Sequence, residues 1–467
     1  MYQWIYSIVI TLLMAGCAVQ HETINLPEKN EPVLVDNNKN ADKKGTKEDI
    51  SGETLNSGSV KEKILAIIHQ KFKDPKKVKL MESMMNVMPE NMLNKWLKRQ
   101  HWKEIMKKCD KAYERGDYSK GIEFAEKACQ YALNNFGETD QETIRSINNL
   151  AFLNEKQGRY GKAEPLYKRS LQLCEEVLGL KHPDTLVIIN NLAALYSSQG
   201  RYDEAEPLFL RCLQLSEEVQ GPKHPHTLRS INNLAELYKL QGRHGETEPL
   251  LKDCLQLSKE VQGPKHPHTL RSINNLAGLY SLQGRYDEAE PLYKHCLQLS
   301  EEVFGPKHPD TLPSINNLAL LYQSQGRYGE AEPLFKRFYQ LSEEVLGPKH
   351  PDTLISINNL ALLYESQGRY GEAEPLYKGC LQLSEEVLGP KHPLTLKISL
   401  NYSVCLVMLK QDNQALLHLK KLELSLRHYA GDMLKTTQQL SVEIWGRGTS
   451  MILCFANKMS NLLKRKT

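Results

Sequence analysis

The sequence predicts an all-α solenoid of antiparallel helix pairs, and three observations carry that expectation. First, from residue 142 to 393 the chain repeats every 42 residues: His-Pro recurs at His182, His224, His266, His308, His350 and His392, and Asn-Asn recurs from Asn148/Asn149 to Asn358/Asn359. Residues 226–267 and 268–309 are identical at 33 of 42 positions, which marks recent duplication. Second, glycines hold two columns, Gly158 to Gly368 and Gly179 to Gly389, and cut each unit into two segments of helical length. Third, apolar residues inside a segment fall at helical spacing, as in Leu186, Ile189, Leu192, Ala193 and Tyr196.

Composition narrows the function classes. Among 467 residues, Lys and Arg number 60 and Asp and Glu 56. That near-balance argues against a dedicated nucleic-acid binder, which carries a basic excess or face. A hydrophobic fraction of 40% is too high for a wholly disordered chain.

Residues 1–16 read MYQWIYSIVITLLMAG, with an apolar core from Ile8 to Met14 of signal-peptide length, short for a membrane span. An ordinary cleaved signal or a short anchor fits that core. Met14-Ala15-Gly16-Cys17 resembles a bacterial lipobox. The resemblance implies cleavage before Cys17, lipidation of its thiol and, with Ala18 next, sorting to the outer membrane at the periplasmic face. Residues 17–58 are polar and without periodicity, which predicts a disordered tether reaching about 35 Å. Residues 59–97 carry clustered apolar side chains split by Pro75 and Pro89, which predicts an N-terminal helical cap. Residues 98–141 read as a degenerate first helix pair, with Gly116-Asp117-Tyr118 at its turn.

Each 42-residue unit then predicts two helices. Pro183 suits the first helical position, because its missing N–H would be unpaired there anyway. Asp184 lies at the positive end of the helix dipole, and Gly200 stops the helix in the left-handed conformation. The second helix starts near Tyr202, and Ala205, Leu208, Phe209, Cys212, Leu213, Leu215, Ser216 and Val219 are expected to form its buried face. Pro207 marks a tight first turn, whereas Pro313, inside a first helix, fits the pattern badly. Residues 394–430 read as a degenerate last pair, with Lys410 in place of the turn glycine, and residues 431–467 as capping helices.

This pattern resembles the tetratricopeptide repeat: Leu192, Ala193, Tyr196, Gly200, Ala205 and Phe209 stand at the family's positions. A 42-residue unit with Asn-Asn-Leu-Ala-x-Leu-Tyr and Gly-x-Lys-His-Pro-Asp resembles the kinesin light chain variety over residues 142–393. The resemblance implies a right-handed superhelix and a monomeric, non-enzymatic scaffold without cofactor or metal. Its partners would be proteins or peptide segments held on the concave side, which the first helix of each pair lines. The last residues loosely resemble the segment that joins similar arrays to a CHAT-type cysteine peptidase. That implies an alternative, the regulatory array of a split peptidase system; a cytoplasmic adaptor is another.

The asparagine column is the leading functional signal, because a helix interior does not favour Asn. One explanation is structural, an amide that ties unit to unit. The other is recognition of a peptide main chain, a role that the resemblance carries to Asn148, Asn190, Asn232, Asn274, Asn316 and Asn358. Neighbouring variable positions would set specificity. Arg145, Arg229 and Arg271 predict an acidic ligand portion, and Leu320, Ile355 and Leu362 an apolar one. Cys212, Cys254, Cys296 and Cys380 share a slot with Ser170 and Phe338, which predicts packing thiols rather than disulfides. The His-Pro histidines predict helix caps. In His224/His226 and His266/His268 the helix start is expected to turn the paired rings apart, so no metal is predicted. Glu204 and Glu206 read as a solvated helix start.

Overall fold

The computed structural model describes residues 60–71 and 89–411 throughout, and separate positions at 75–83 and 413–425. The expected signal, Cys17 with the tether, and the tail at 431–467 lie outside the described residues. Helix α1 (Val60–Lys71) packs on the first half of α2 (Glu90–Glu114) through Ile64, Ile68 and Leu93. The second half of α2 packs on α3 (Tyr118–Phe136) through Trp102, Met106, Ala128 and Ala132. One helix therefore runs through the boundary expected at residue 97.

Six helix pairs follow. They are α4 (Gln141–Lys156) with α5 (Tyr160–Val177), α6 (Pro183–Ser198) with α7 (Tyr202–Gln220), and α8 (Pro225–Leu240) with α9 (His244–Gln262). Next come α10 (Pro267–Leu282) with α11 (Tyr286–Phe304), α12 (Leu312–Ser324) with α13 (Tyr328–Leu346), and α14 (Pro351–Ser366) with α15 (Tyr370–Val387). Helix α16 (Pro393–Met408) opens the last pair. Among the described residues there is no strand, and consecutive helices pack in antiparallel order. First helices also touch the first helices of adjacent units, which puts them on the inner side of the curve. They are buried along most of their length, and the second helices keep an exposed outer face.

Local chemistry explains the repetition. Each His-Pro histidine caps a first helix: Nδ1 of His182, His224, His266, His308, His350 and His392 accepts the N–H two residues on, at 3.1–3.2 Å. Glycines with positive φ recur every 21 residues from Gly116 to Gly389, and the next step falls on Lys410, the one non-glycine with positive φ among the described residues. The missing glycine of the degenerate pair thus keeps its backbone shape without the residue type that favours it. Pro313 is accommodated by breaking its helix: a short 3-10 turn spans Pro309–Thr311, and the α-helix restarts at Leu312, so the proline sits in a first turn that needs no N–H.

Three ladders run along the array, two between units and one between the two helices of each unit. On the outer edge, Arg285 bonds Glu248 of the preceding unit at 2.7 Å and its own Glu288 at 2.6 Å, with its guanidinium 4.1 Å from the Tyr280 ring centre. Arg201, Arg243, Arg327 and Arg369 repeat this arrangement. Arg285 holds the Glu248 carboxyl down at about 2. Glu206 belongs to this ladder through Arg243, so it is an inter-unit partner rather than a merely solvated acid. In the core, the thiols of Cys212, Cys254, Cys296 and Cys380 donate to Leu186, Leu228, Leu270 and Leu354 carbonyls at 3.2–3.4 Å, and Ser170 does the same to Ile144. The eight described cysteines are free, and burial pushes Cys380 up to about 12. The third ladder is the asparagine column. One expectation fails: Val219 is 42% exposed, as are its counterparts Val177, Val261, Val303 and Val345 to similar degree, because it lies on the outer side of the last turn, where the following position, Leu178, Phe304, Leu346 or Leu388, packs inward instead.

The curve is tight enough for the chain to meet itself. Gln157 at the end of α4 donates to the Leu388 carbonyl at 3.2 Å, and His392 contacts the Lys156 carbonyl at 3.0 Å.

Candidate binding surface

The asparagines form a ladder of amide pairs, one between each two consecutive units. Nδ2 of Asn191, Asn233, Asn275, Asn317, Asn359 and Asn401 donates to Oδ1 of Asn148, Asn190, Asn232, Asn274, Asn316 and Asn358, at 2.6–3.2 Å. The six acceptors are at most 6% exposed. The geometry displays the stacking explanation directly: the second Asn of every unit reaches back to the first Asn of the unit before. Burial of the six acceptor oxygens is offset because each has its partner.

One turn before this column lie the variable positions. Arg145 is half-buried, and its Nη2 reaches forward to Asp184 of the next unit at 3.3 Å, where Gln141 also donates to the same carboxylate oxygen at 2.7 Å. That forward step covers 39 residues. Repeated two units later, the same step leads from Arg229 to His268, where an acid would be needed. Down the array the acceptor column reads Glu142, Asp184, His226, His268, Asp310, Asp352 and Leu394. His226 and His268 interrupt the acids, so the forward step from Arg229 ends on a histidine whereas that from Arg271 ends on Asp310. Among the described residues Arg229, half-buried, has no hydrogen-bond or ion-pair partner. Arg271 is 9% exposed.

The histidines register this charge. Burial, then Arg229 and His224, push His226 down to about 4. Burial, then Arg271, His266, Arg229 and His226, push His268 down to about 4. Both rings are therefore neutral at pH 7, beside guanidinium charge. The paired rings do not turn apart as expected: His224 and His226 have centroids 5.0 Å apart, and His266 and His268 5.1 Å. The first ring of each pair must turn its Nδ1 back onto the backbone to cap the helix, which brings it against the second. Among the described residues no group of three or more His, Cys, Asp and Glu could hold a metal.

The apolar stations lie further along. Leu320, Ile355 and Leu362 are half-buried, and Leu320 and Leu362 pack against the large core that runs through the later units. Arg229 and Arg271 thus sit on α8 and α10, and the apolar trio on α12 and α14, in adjacent stretches of the inner wall. Sequence reasoning missed His226 and His268 as members of the surface. The readable signal was the Asp-His-His-Asp-Asp column, visible only when the units are aligned on the forward step. It also missed two buried pairs, Tyr167 donating to Glu155 at 2.9 Å and Tyr377 to Glu365 at 2.8 Å. Burial pushes Glu365 up to about 7 in spite of that hydroxyl.

The tetratricopeptide repeat profile matches residues 112–176, 142–209, 184–246, 231–302, 272–341, 313–378 and 357–423. No curated protein matches. Similar solved structures include a Podosopora anserina kinesin light chain with nearly identical tetratricopeptide-like repeats, at 27% identity over 44% of this chain and 97% of that chain, with a TM-score of 0.37. BtubC from P. vanneervenii shares 22% identity over 52% of this chain and 92% of that one, with a TM-score of 0.38. NprR, solved with its cognate peptide NprX, shares 17% identity over 70% and 88%, with a TM-score of 0.46. With its helix pairs stacked on a 42-residue step and that profile matched from residue 112 to 423, the chain belongs to the tetratricopeptide repeat family.

Proposed function

We propose that this protein is a non-enzymatic scaffold that binds a peptide segment of a partner protein along its inner wall. A carboxylate of that segment is received beside Arg229 and His268. The observation that carries this reading is the interrupted ladder: a half-buried guanidinium faces a neutral histidine where the matching arginine has an aspartate. A ligand carboxylate supplies the missing acceptor, and charge-assisted hydrogen bonds of this kind contribute about 1.5–3 kcal/mol each. Leu320, Ile355 and Leu362 take the apolar part of the same segment. The asparagine amides, committed to one another, hold the wall in shape and offer the ligand little surface.

We place the protein on the periplasmic face of a bacterial membrane, tethered through Cys17. The lipobox-like segment supports that placement, and metabolic labelling with a lipid analogue tests it: loss of label in Cys17→Ser agrees, and label that persists refutes it.

The binding reading is tested with a fluorescein-labelled peptide of glutamates followed by leucines, titrated by anisotropy onto the full chain. Arg229→Gln should weaken binding at least about tenfold, as should His268→Asp, which restores the internal partner found at Asp184. Binding that ignores both substitutions would show that this wall is not the site.

A further inference from the structure

The stacked units also close on themselves, along a seam between the start and the end of the array. Gly158, at the turn after α4, faces Pro393, where a Cβ on the glycine would lie 2.8 Å from the proline Cδ. One unit earlier at both ends, Gly116 faces Pro351, where a Cβ would overlap the proline Cδ and lie 3.3 Å from a carbon of His350. Both contacts have the same separation in sequence, 235 residues. The seam is therefore one continuous edge, at which the superhelix has turned once and its later units lie against its earlier ones. His392 joins the two sides chemically: its Nδ1 accepts from Leu394, so its Nε2 carries the proton and donates to the Lys156 carbonyl. Tyr118 packs against the core of the later units, and Asp352 lies within electrostatic range of Tyr113, Tyr118 and Lys156.

This edge is weak beside the joints between consecutive units. Those joints combine buried core, the asparagine ladder and bridging arginines. Among the described residues the seam has the bonds of Gln157 and His392, a backbone contact from His350 to Glu114, the packing of Tyr118 and the proline–glycine contacts, and no salt bridge crosses it. A small rotation at each of several stacked joints would part it without breaking any one of them, because a solenoid bends by summing small changes between neighbours.

We infer that the seam is a latch: the array moves between a closed turn and an open one, and a peptide segment reaches the inner wall through the opened seam. Peptide entry rests on the binding role proposed above; the opening does not. The turn glycines provide a matched test, since Gly284 and Gly326 have the same backbone, φ +74 and +72, but nothing within 4 Å of a Cβ. Gly116→Ala with Gly158→Ala therefore bears the same local strain as Gly284→Ala with Gly326→Ala, and only the first pair disturbs the seam.

The seam is measured on the full chain carrying Cys17→Ser, Cys129→Ser and Cys454→Ser, with spin labels on Arg159→Cys and Lys391→Cys, both exposed and flanking the edge. The Gly116/Gly158 variant should shift the distance distribution to longer values, and the Gly284/Gly326 variant should leave it unchanged. A short distance that stays put in both, with both folded by circular dichroism, overturns the latch. Cross-linking the same two cysteines with a bismaleimide should slow association of the glutamate–leucine peptide by about tenfold or more. A cross-linked chain that binds at the uncross-linked rate refutes entry through the seam and leaves the binding site standing. A chain that binds no peptide in any form refutes the binding reading, and entry through the seam with it, and the distance measurement alone then decides whether the seam opens.

Discussion

Arg145 and Arg229 occupy the same place in units two steps apart, on the same backbone, one turn before the same buried asparagine. The first meets Asp184 and is finished as a structural group; the second meets His268 and is left with its charge unspent. The difference lies in the acceptor column, Glu142 and Asp184 around Arg145 against His226 and His268 around Arg229. It teaches that in a duplicated solenoid the scaffold and the binding surface are separable. The ladders that stack the units are copied intact, and function enters where one rung is exchanged.

The largest test concerns the scaffold that both regions must share. Asn148→Ala and Asn232→Ala each strand the buried amide of the next unit, Asn191 or Asn275. Each should lower the urea-unfolding free energy by about 2 kcal/mol. Asn232→Ala should cost the more, because its Nδ2 also donates to the Leu228 carbonyl at 3.1 Å and to Cys254 Sγ at 3.0 Å, and a larger cost at Asn148 would break this account of the ladder.

Exchanging the rungs comes next. Asp184→His should remove the acceptor of Arg145 and cost about 1 kcal/mol, less than a fully buried pair because Arg145 is partly exposed. It should also create a second receptor for the acidic peptide. His268→Asp should run the other way and gain about 0.5 kcal/mol in the same unfolding assay. A stability loss in His268→Asp would mean that Arg229 cannot reach position 268.

Acid should separate the regions more gently. His226 and His268 take up protons near pH 6.5 when unfolded but only near 4 when folded. Between those values the unfolded chain binds more protons, so their contribution is full above about pH 6.5 and is lost as pH falls towards 4. Melting temperature measured across that window should fall less steeply in His226→Asn with His268→Asn than in the wild type. Identical slopes would remove the histidines from the account. The smallest effect is expected on the outer face, where Lys349 pairs with Glu386 and both are exposed. Lys349→Gln should change stability by less than about 0.5 kcal/mol and leave peptide affinity unchanged.

How much could be read in advance varies with the range of the interaction. The helix pairs, the turn glycines, the histidine caps and the packing role of the cysteines are legible because each depends on residues within one unit, and the unit is seen many times over. The binding residues were half legible. Arg229 and Arg271 stood out by type, but that Arg229 faces a histidine follows from the stacking of two units, which sets the step of 39 residues. The choice between the two roles of the asparagines was likewise open until neighbouring units were placed side by side. Val219 misled because helical spacing marks a face to within one residue, and at the last turn the next position is the one that packs inward.

By itself, then, the sequence determined a 42-residue clock, two helices per beat and the chemistry repeated at each. Only the tertiary structure decided that the array turns once and meets its own beginning, so that Gly116 and Gly158 face prolines while Gly284 and Gly326 face open space. The reason is physical. A turn glycine is specified by its own backbone, the same in every unit, whereas closure depends on the sum of small rotations across several joints, which no single unit records.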